Sequence, residues 1–353
     1  IRYYMELEFG HFGRQARFSE FDVMTRITDD VLVRAQGLPI GTRNLGPSPR
    51  YQSYNYDNTR EAWIEWGCSD ALNVRMGQIA IPTTRQLMVA PELQQFVDIS
   101  LASAFMGSYL PGYTDRNRDH GVMLHGAFGC NNEWSWMLAV TNGDGGDSIR
   151  NVLDWRTSDN LAYSGRVNWA FAKPIGYQEG ALAQDTCGWY GELGVWGFYY
   201  ADRTDKLHTA WADSLRAGVD LAIGYGGFSF TGAYNFGSDE DSDFFDDVDY
   251  TAWLAQLGYH FPGTAWEIAA RASAYEADSN GSGGAMEYAF GVNYYLNGHG
   301  NKFSIDVSIY EAVDDGFLIF DPYSGVGGYF GLNQREDGDS FGTLIRFQWQ
   351  LAL

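Results

Sequence analysis

The residues that could do chemistry in this chain are charged groups set singly into apolar segments. Arg75, Arg166, Arg271 and Arg346 stand near the middle of such segments, with Arg216 nearer one end. Glu192, Asp220, Glu267 and Asp306 share their parity. Opposed charges in this arrangement either make a transverse field that orients passing solutes or pair with one another and brace a wall; the spacing leaves both open. Nucleophilic catalysis has little support. The histidines (His11, His120, His125, His208, His260 and His299) are scattered, and no GxSxG, HExxH or GxxxxGKT pattern occurs.

Metal and thiol chemistry are thinly represented. The stretch 238–249 (SDEDSDFFDDVD) is the most acidic, and Asp239, Glu240, Asp241 and Asp243 are its candidates for Ca²⁺. It lacks EF-hand spacing, so the expectation is a solvated acidic loop and no cofactor. Of three cysteines, Cys68 and Cys130 fall in neighbouring turns and could form one disulfide, leaving Cys187 over. No cysteine pair has zinc-site spacing, and there is no CxxCH for haem. With 45 acidic against 23 basic residues, the net charge of −22 repels phosphate backbones and excludes nucleic acid as a partner.

The elements that must hold these charges have period two. Between Phe341 and Leu353, Phe341, Thr343, Ile345, Phe347, Trp349, Leu351 and Leu353 share one face, and Gly342, Leu344, Arg346, Gln348, Gln350 and Ala352 the other. The segments 301–311, 285–295 and 265–275 repeat the pattern, and further candidates extend back to 2–10. No stretch is apolar enough for a helical span, whereas alternating segments of this length fit tilted strands with one face in lipid and one in water. The expectation is an all-β chain, 1–353 forming a single transmembrane antiparallel β-barrel of about sixteen strands. About fifteen can be picked out, so either one precedes Ile1 or one is hidden. The lack of a signal peptide implies a mature or trimmed chain.

Short turns at 11–15, 67–70, 130–132, 225–226, 260–264 and 296–300 alternate with longer links at 27–59, 81–120, 142–160, 202–213, 237–248, 276–284 and 312–339, as periplasmic turns alternate with external loops. The connection 172–188 is too long for a periplasmic turn and has no account at this level. Trp66, Trp134, Trp136, Trp169, Tyr199, Tyr259 and Tyr294 cluster towards strand ends, as an interfacial aromatic girdle would. In this frame His125 faces the lumen, whereas a barrel phospholipase needs its Ser–His pair on the lipid-facing wall. No enzyme is expected.

Within 81–120, the segment Pro91–Met106 spaces Leu93, Phe96, Val97, Ile99, Leu101 and Phe105 as a helix would. Its apolar face must be buried, either inside the barrel as a constriction or over a neighbouring subunit. Infolding is the expectation, with Arg85, Glu92, Gln94, Gln95 and Asp98 bordering the opening.

The ending LIRFQWQLAL, the segment 290–310 (FGVNYYLNGHGNKFSIDVSIY), the stretch 72–86 (LNVRMGQIAIPTTRQ) and the stretch 121–145 (GVMLHGAFGCNNEWSWMLAVTNGDG) resemble the phosphate-selective porin O and P family. The resemblance implies a sixteen-stranded barrel in the bacterial outer membrane, a homotrimer and an inward-folded loop. It also implies arginine and lysine rows, but here the only lysines are Lys173, Lys206 and Lys302. The expected function is passive diffusion of small hydrophilic solutes and ions through a water-filled barrel embedded in outer-membrane lipid. The alternatives are an anion- or phosphate-selective channel, and a structural barrel that anchors a surface-layer or envelope partner.

Overall fold

The computed structural model of the chain describes residues 2–10, 14–18, 21–28, 31–37, 59–108, 117–143, 161–181, 188–200, 211–241, 248–278, 283–313, 333–334 and 340–352. Strands β1 (Arg2–Gly10), β2 (Arg14–Phe18), β3 (Phe21–Thr28), β4 (Val31–Gly37), β5 (Thr59–Ser69) and β6 (Leu72–Ala80) precede two short helices, α1 (Arg85–Met88) and α2 (Leu101–Ser108). Next come β7 (Arg118–Phe128), β8 (Trp134–Thr141), β9 (Ala162–Ala170), β10 (Trp189–Tyr200), β11 (Trp211–Tyr225) and β12 (Phe228–Asp241). The series ends with β13 (Val248–His260), β14 (Trp266–Asp278), β15 (Gly283–Asn297), β16 (Asn301–Val313), β17 (Asn333–Gln334) and β18 (Ser340–Ala352).

All eighteen belong to one antiparallel sheet. From β3 to β16 each strand pairs with the next in sequence. Strand β18 takes β16 on one edge and β1 on the other, and β1 pairs with β2. Ala352 faces Arg2 and Leu351 faces Asn301, which defines a C-terminal rim; the opposite end is the loop rim.

Two sequence expectations change. Gly10 faces Leu344, well along β18 from Ala352, so β1 ends and β2 begins towards the loop rim, although brevity had placed 11–15 among the turns of the other end. The stretch 27–59 is not one long link. It contains β4, whose Val31 faces Thr28 on one side and Trp66 on the other. Seven residues without an aromatic anchor give too short a period-two signal to stand out.

Alternation decides the two faces. Along β13, Tyr250, Ala252, Leu254 and Gln256 are buried on the inside, while Leu257 lies open on the outside. Phe290, midway along β15, is 66% exposed, and Leu138, Val195, Leu215, Ile268, Ile305 and Phe347 are likewise open. In water such a belt would drive aggregation, whereas in hydrocarbon it is the favourable surface of a spanning strand. Among the described residues no helix is long and apolar enough to cross a membrane.

At the C-terminal rim outward aromatic residues touch in series: Phe128 on Trp134, Trp134 on Trp169, Trp189 on Tyr225, Phe228 on Tyr259 and Phe303 on Trp349. Their amphipathic rings suit headgroup depth. The hairpin between β11 and β12 turns on Gly226 and Gly227, with φ of 58° and 95°. Two successive left-handed residues match the twist of the flanking strands, which is why two glycines stand there.

Candidate functional site

The parity of the strands puts Arg75, Arg166, Arg216, Arg271, Arg346, Glu192, Asp220, Glu267 and Asp306 on the inner wall. Arg346 and Asp306 are cross-strand neighbours, and Nε donates to the carboxylate at 2.6 Å. Arg166 reaches from β9 across β10 to Asp220 on β11, donating at 2.7 and 2.6 Å. That bidentate pair passes over Gly194, where a Cβ would collide with both the guanidinium and the carboxylate. Arg271 pairs with Glu287 at 2.5 Å. Arg216 shares Asp239 at 3.2 Å and donates to the Tyr250 hydroxyl. The geometry is that of the braced wall: these four guanidinia have side-chain exposures of 0 to 2% and each meets a carboxylate.

The segment after β6 runs inside this wall. Its amides find acceptors on the strands: Arg85 N–H on Asp220 at 3.1 Å, Val97 N–H on Asp306 at 2.8 Å and Leu101 N–H on Glu287 at 2.8 Å. The carbonyls of Glu92, Gln94, Gln95 and Asp98 accept from Gln350, Lys302, Asn293 and Arg271. Gln95 also donates through Nε2 to Glu267 at 2.5 Å, and the Asp98 carboxylate lies 3.4 Å from Arg346. The helix-like spacing of Pro91–Met106 is realised only in part, as a single 3₁₀ turn over Pro91–Leu93 and then α2. Wall carboxylates take amides that a continuous helix would bond to its own carbonyls. Apart from half-buried Leu93, the apolar residues of that face are buried all the same. Phe105 stacks on Tyr275 at 3.9 Å and meets Tyr250 edge-on at 5.5 Å, within a cluster that includes inward Trp196, Phe198 and Tyr310.

A second infolded segment enters from the C-terminal rim. In the connection after β9, Gly176 N–H bonds Glu192, Tyr177 Oη accepts from Arg166 Nε at 3.1 Å, and the Gly176 carbonyl accepts from Arg85. Glu179 accepts from Gln86 Nε2 at 2.8 Å, Gln95 N–H at 2.8 Å and Gln256 Nε2 at 3.0 Å. This accounts for the length of the connection that begins at 172. Its role had no signal in the sequence, because a strap held by polar side chains carries no period. Glu287, by contrast, sat at inward parity in a recognisable strand.

Hydrogen bonds from 83–101 reach β9, β11 to β16 and β18; beyond β9 the wall continues through β8 to β5. On those strands three ionisable groups keep contact with solvent. Glu65 accepts from Arg75 Nε at 2.7 Å and lies 2.8 Å from His125 Nε2, with side-chain exposures of 15, 21 and 18% respectively. Arg75 also lies over the Trp63 ring, 4.1 Å from its centroid. Glu65 shares the parity of Trp63, so sequence alone could have found it.

The disulfide that Cys68 and Cys130 were candidates for does not form; both are free and exposed. Strand β6 separates β5 from β7, so the two sit about 10 Å apart in the sheet direction, beyond disulfide reach. Cys187 lies outside the described residues. So do Asp243 and the side chains of Glu240 and Asp241, while Asp239 is engaged by Arg216 and by Ser214 at 2.5 Å.

No protein-family model matches the chain, and no curated protein does. Solved structures do. OmpF of Salmonella typhi, in complex with daunomycin, aligns with a TM-score of 0.58 at 12% identity, over 99% of this chain and 96% of its own. The outer membrane channel DcaP of Acinetobacter baumannii aligns at 0.53 and 11% identity, over 99% and 94%. A porin refined at 1.8 Å aligns at 0.50 and 12% identity, over 98% of each chain. At such identities the likeness speaks for architecture, and the belt, girdle and pairing agree with it: the chain has the membrane-spanning β-barrel fold of the outer-membrane porins.

Proposed function

We propose that the protein is an outer-membrane diffusion channel for small hydrophilic solutes and ions, with its water path along the β5–β8 side of the lumen. One observation carries the reading: Glu65, Arg75 and His125 stay in contact with solvent at mid-wall, while the infolded segment is bonded to the other strands. The path favours cations. Arg166, Arg216, Arg271 and Arg346 are neutralised by carboxylates, and the chain carries a net charge of −22. The resemblance to phosphate-selective porins supports anion preference instead, and the paired arginines count against it.

The test is conductance in a planar bilayer under a salt gradient. Open channels with a cation-side reversal potential, moved towards the anion side by Glu65→Gln, are expected. An anion-side reversal would revive the phosphate reading. Silence from folded protein would favour the structural scaffold, a reading that the filling of the β9–β18 side supports.

The sheet is read as a ring of sixteen staves. The β1–β2 register, extended by three residues, sets Arg2 opposite Phe21, so β2 and β3 act as one stave, and β17 is a loop ladder. Cysteines at Arg2 and Phe21 should therefore cross-link; failure to do so would count against it. Assembly into trimers rests on the resemblance, and cross-linking in membranes would test it.

A further inference from the structure

The connection 172–188 is longer than a turn requires, and its first part, Ala172 to Ala181, points into the lumen rather than away from it. It makes three kinds of contact. Towards its own wall, Tyr177 Oη accepts from Arg166 and from Asn168 Nδ2 at 3.0 Å, and Gly176 N–H donates to Glu192 at 3.2 Å. Towards a more distant part of the wall, Glu179 accepts from Gln256 on β13 at 3.0 Å. Towards the segment descending from the loop rim, Glu179 takes Gln86 and the Gln95 amide, its own N–H donates to the Leu93 carbonyl at 2.9 Å, and Arg85 donates to Gly176. Arg166 joins wall, strap and infolded segment, since it bonds Asp220 and Tyr177 and its Nη1 also donates to the Thr83 carbonyl at 2.8 Å.

We propose that this strap is a keeper that sets the aperture jointly with the infolded segment, with Glu179 as its positioning residue. A carboxylate that is 2% exposed and accepts three hydrogen bonds is held in place rather than solvated. All three donors come from other parts of the barrel: two from the infolded segment and one from β13, four strands along the wall. Residues 86–95 therefore sit between two supports, the strands on one side and the strap on the other. Removing the strap's grip frees that stretch to move and widens the path.

The inference rests on the channel reading, and two measurements keep the two apart. Glu179→Ala should raise single-channel conductance above that of the parent barrel and add flicker. In hydrogen exchange it should speed the Gln95 amide by roughly tenfold or more, the loss expected for a hydrogen bond to a charged acceptor. Glu179→Asp should restore part of both. Gln178→Ala, whose side chain bonds Ile175 within the strap at 3.0 Å, serves as a control with neither effect. If Glu179→Ala impairs folding, Tyr177→Phe, which keeps the ring and removes the hydroxyl, offers a milder release on the same readouts. Unchanged exchange, or unchanged conductance in a channel that conducts, overturns the keeper. A parent barrel that never conducts overturns the channel reading instead, and exchange alone then decides the strap.

Discussion

Asp306 accepts the Val97 backbone amide at 2.8 Å and the Arg346 guanidinium at 2.6 Å, joining a loop amide to a wall cation through one carboxylate. The cross-strand pair and the seat of the infolded segment are thus one device. Asp306→Ala should cost about 3–5 kcal/mol, because a buried guanidinium loses its main partner. Denaturant unfolding of the reconstituted barrel measures this; a loss below about 0.5 kcal/mol would place the pair among ordinary surface contacts.

Gly194 lies beneath the Arg166–Asp220 bridge, and any Cβ there meets both partners. Gly194→Ala should displace the pair and cost about 1–3 kcal/mol, the usual penalty of overpacking. Gly197→Ala, where the added atom meets nothing nearer than 3.9 Å, is the matched control. Equal stability of the two variants would refute the crossing.

The outward face should respond to charge by depth. Phe290→Arg, midway along β15, is expected to cost about 2–4 kcal/mol in lipid. Phe228→Arg, at the C-terminal rim where β12 begins, should cost only about 0–1 kcal/mol. Equal penalties, measured by unfolding from vesicles, would mean that the belt does not lie across hydrocarbon.

Beyond the strands, burial and then the nearby Lys302 ammonium push the His299 imidazole down to about 3. The unfolded chain, with an ordinary value near 6.5, binds the proton first as pH falls. The stability contributed by neutral His299 is complete above about 6.5 and is lost towards 3. Acidification from neutral should therefore destabilise the barrel by on the order of 1 kcal/mol per pH unit, and His299→Gln should flatten that slope. An unaltered slope in the variant would assign it to other groups.

What the sequence revealed followed from periodicity. Where an inward face is polar and an outward one apolar, as in β14, β16 and β18, the strand and the direction of Arg271, Asp306 and Arg346 were legible from parity. Three features escaped for physical reasons. Strand β4 is too short to show a period. The segment 91–106 has helical spacing, yet Asp306 and Glu287 compete for its amides and win. Glu179 belongs to a strap whose polar contacts leave no pattern along the chain. Trp196 and Tyr310 face inward at the right parity, but only the folded chain shows that α2 needs an aromatic floor.

The seating of the infolded segment constrains the order of assembly. Arg85 must wait for Asp220, 135 residues downstream, and Glu92 for Gln350, 258 residues downstream. A chain emerging from its N-terminus presents the segment long before its receptors exist, and pairing over such separations is slow. The hydrophobic side chains around Phe96 and Phe105 stay uncovered through that interval, in need of a chaperone's shelter. Wrapping of the late strands around the segment, as around a mandrel, ends the exposure, so seam closure and core burial become a single terminal event.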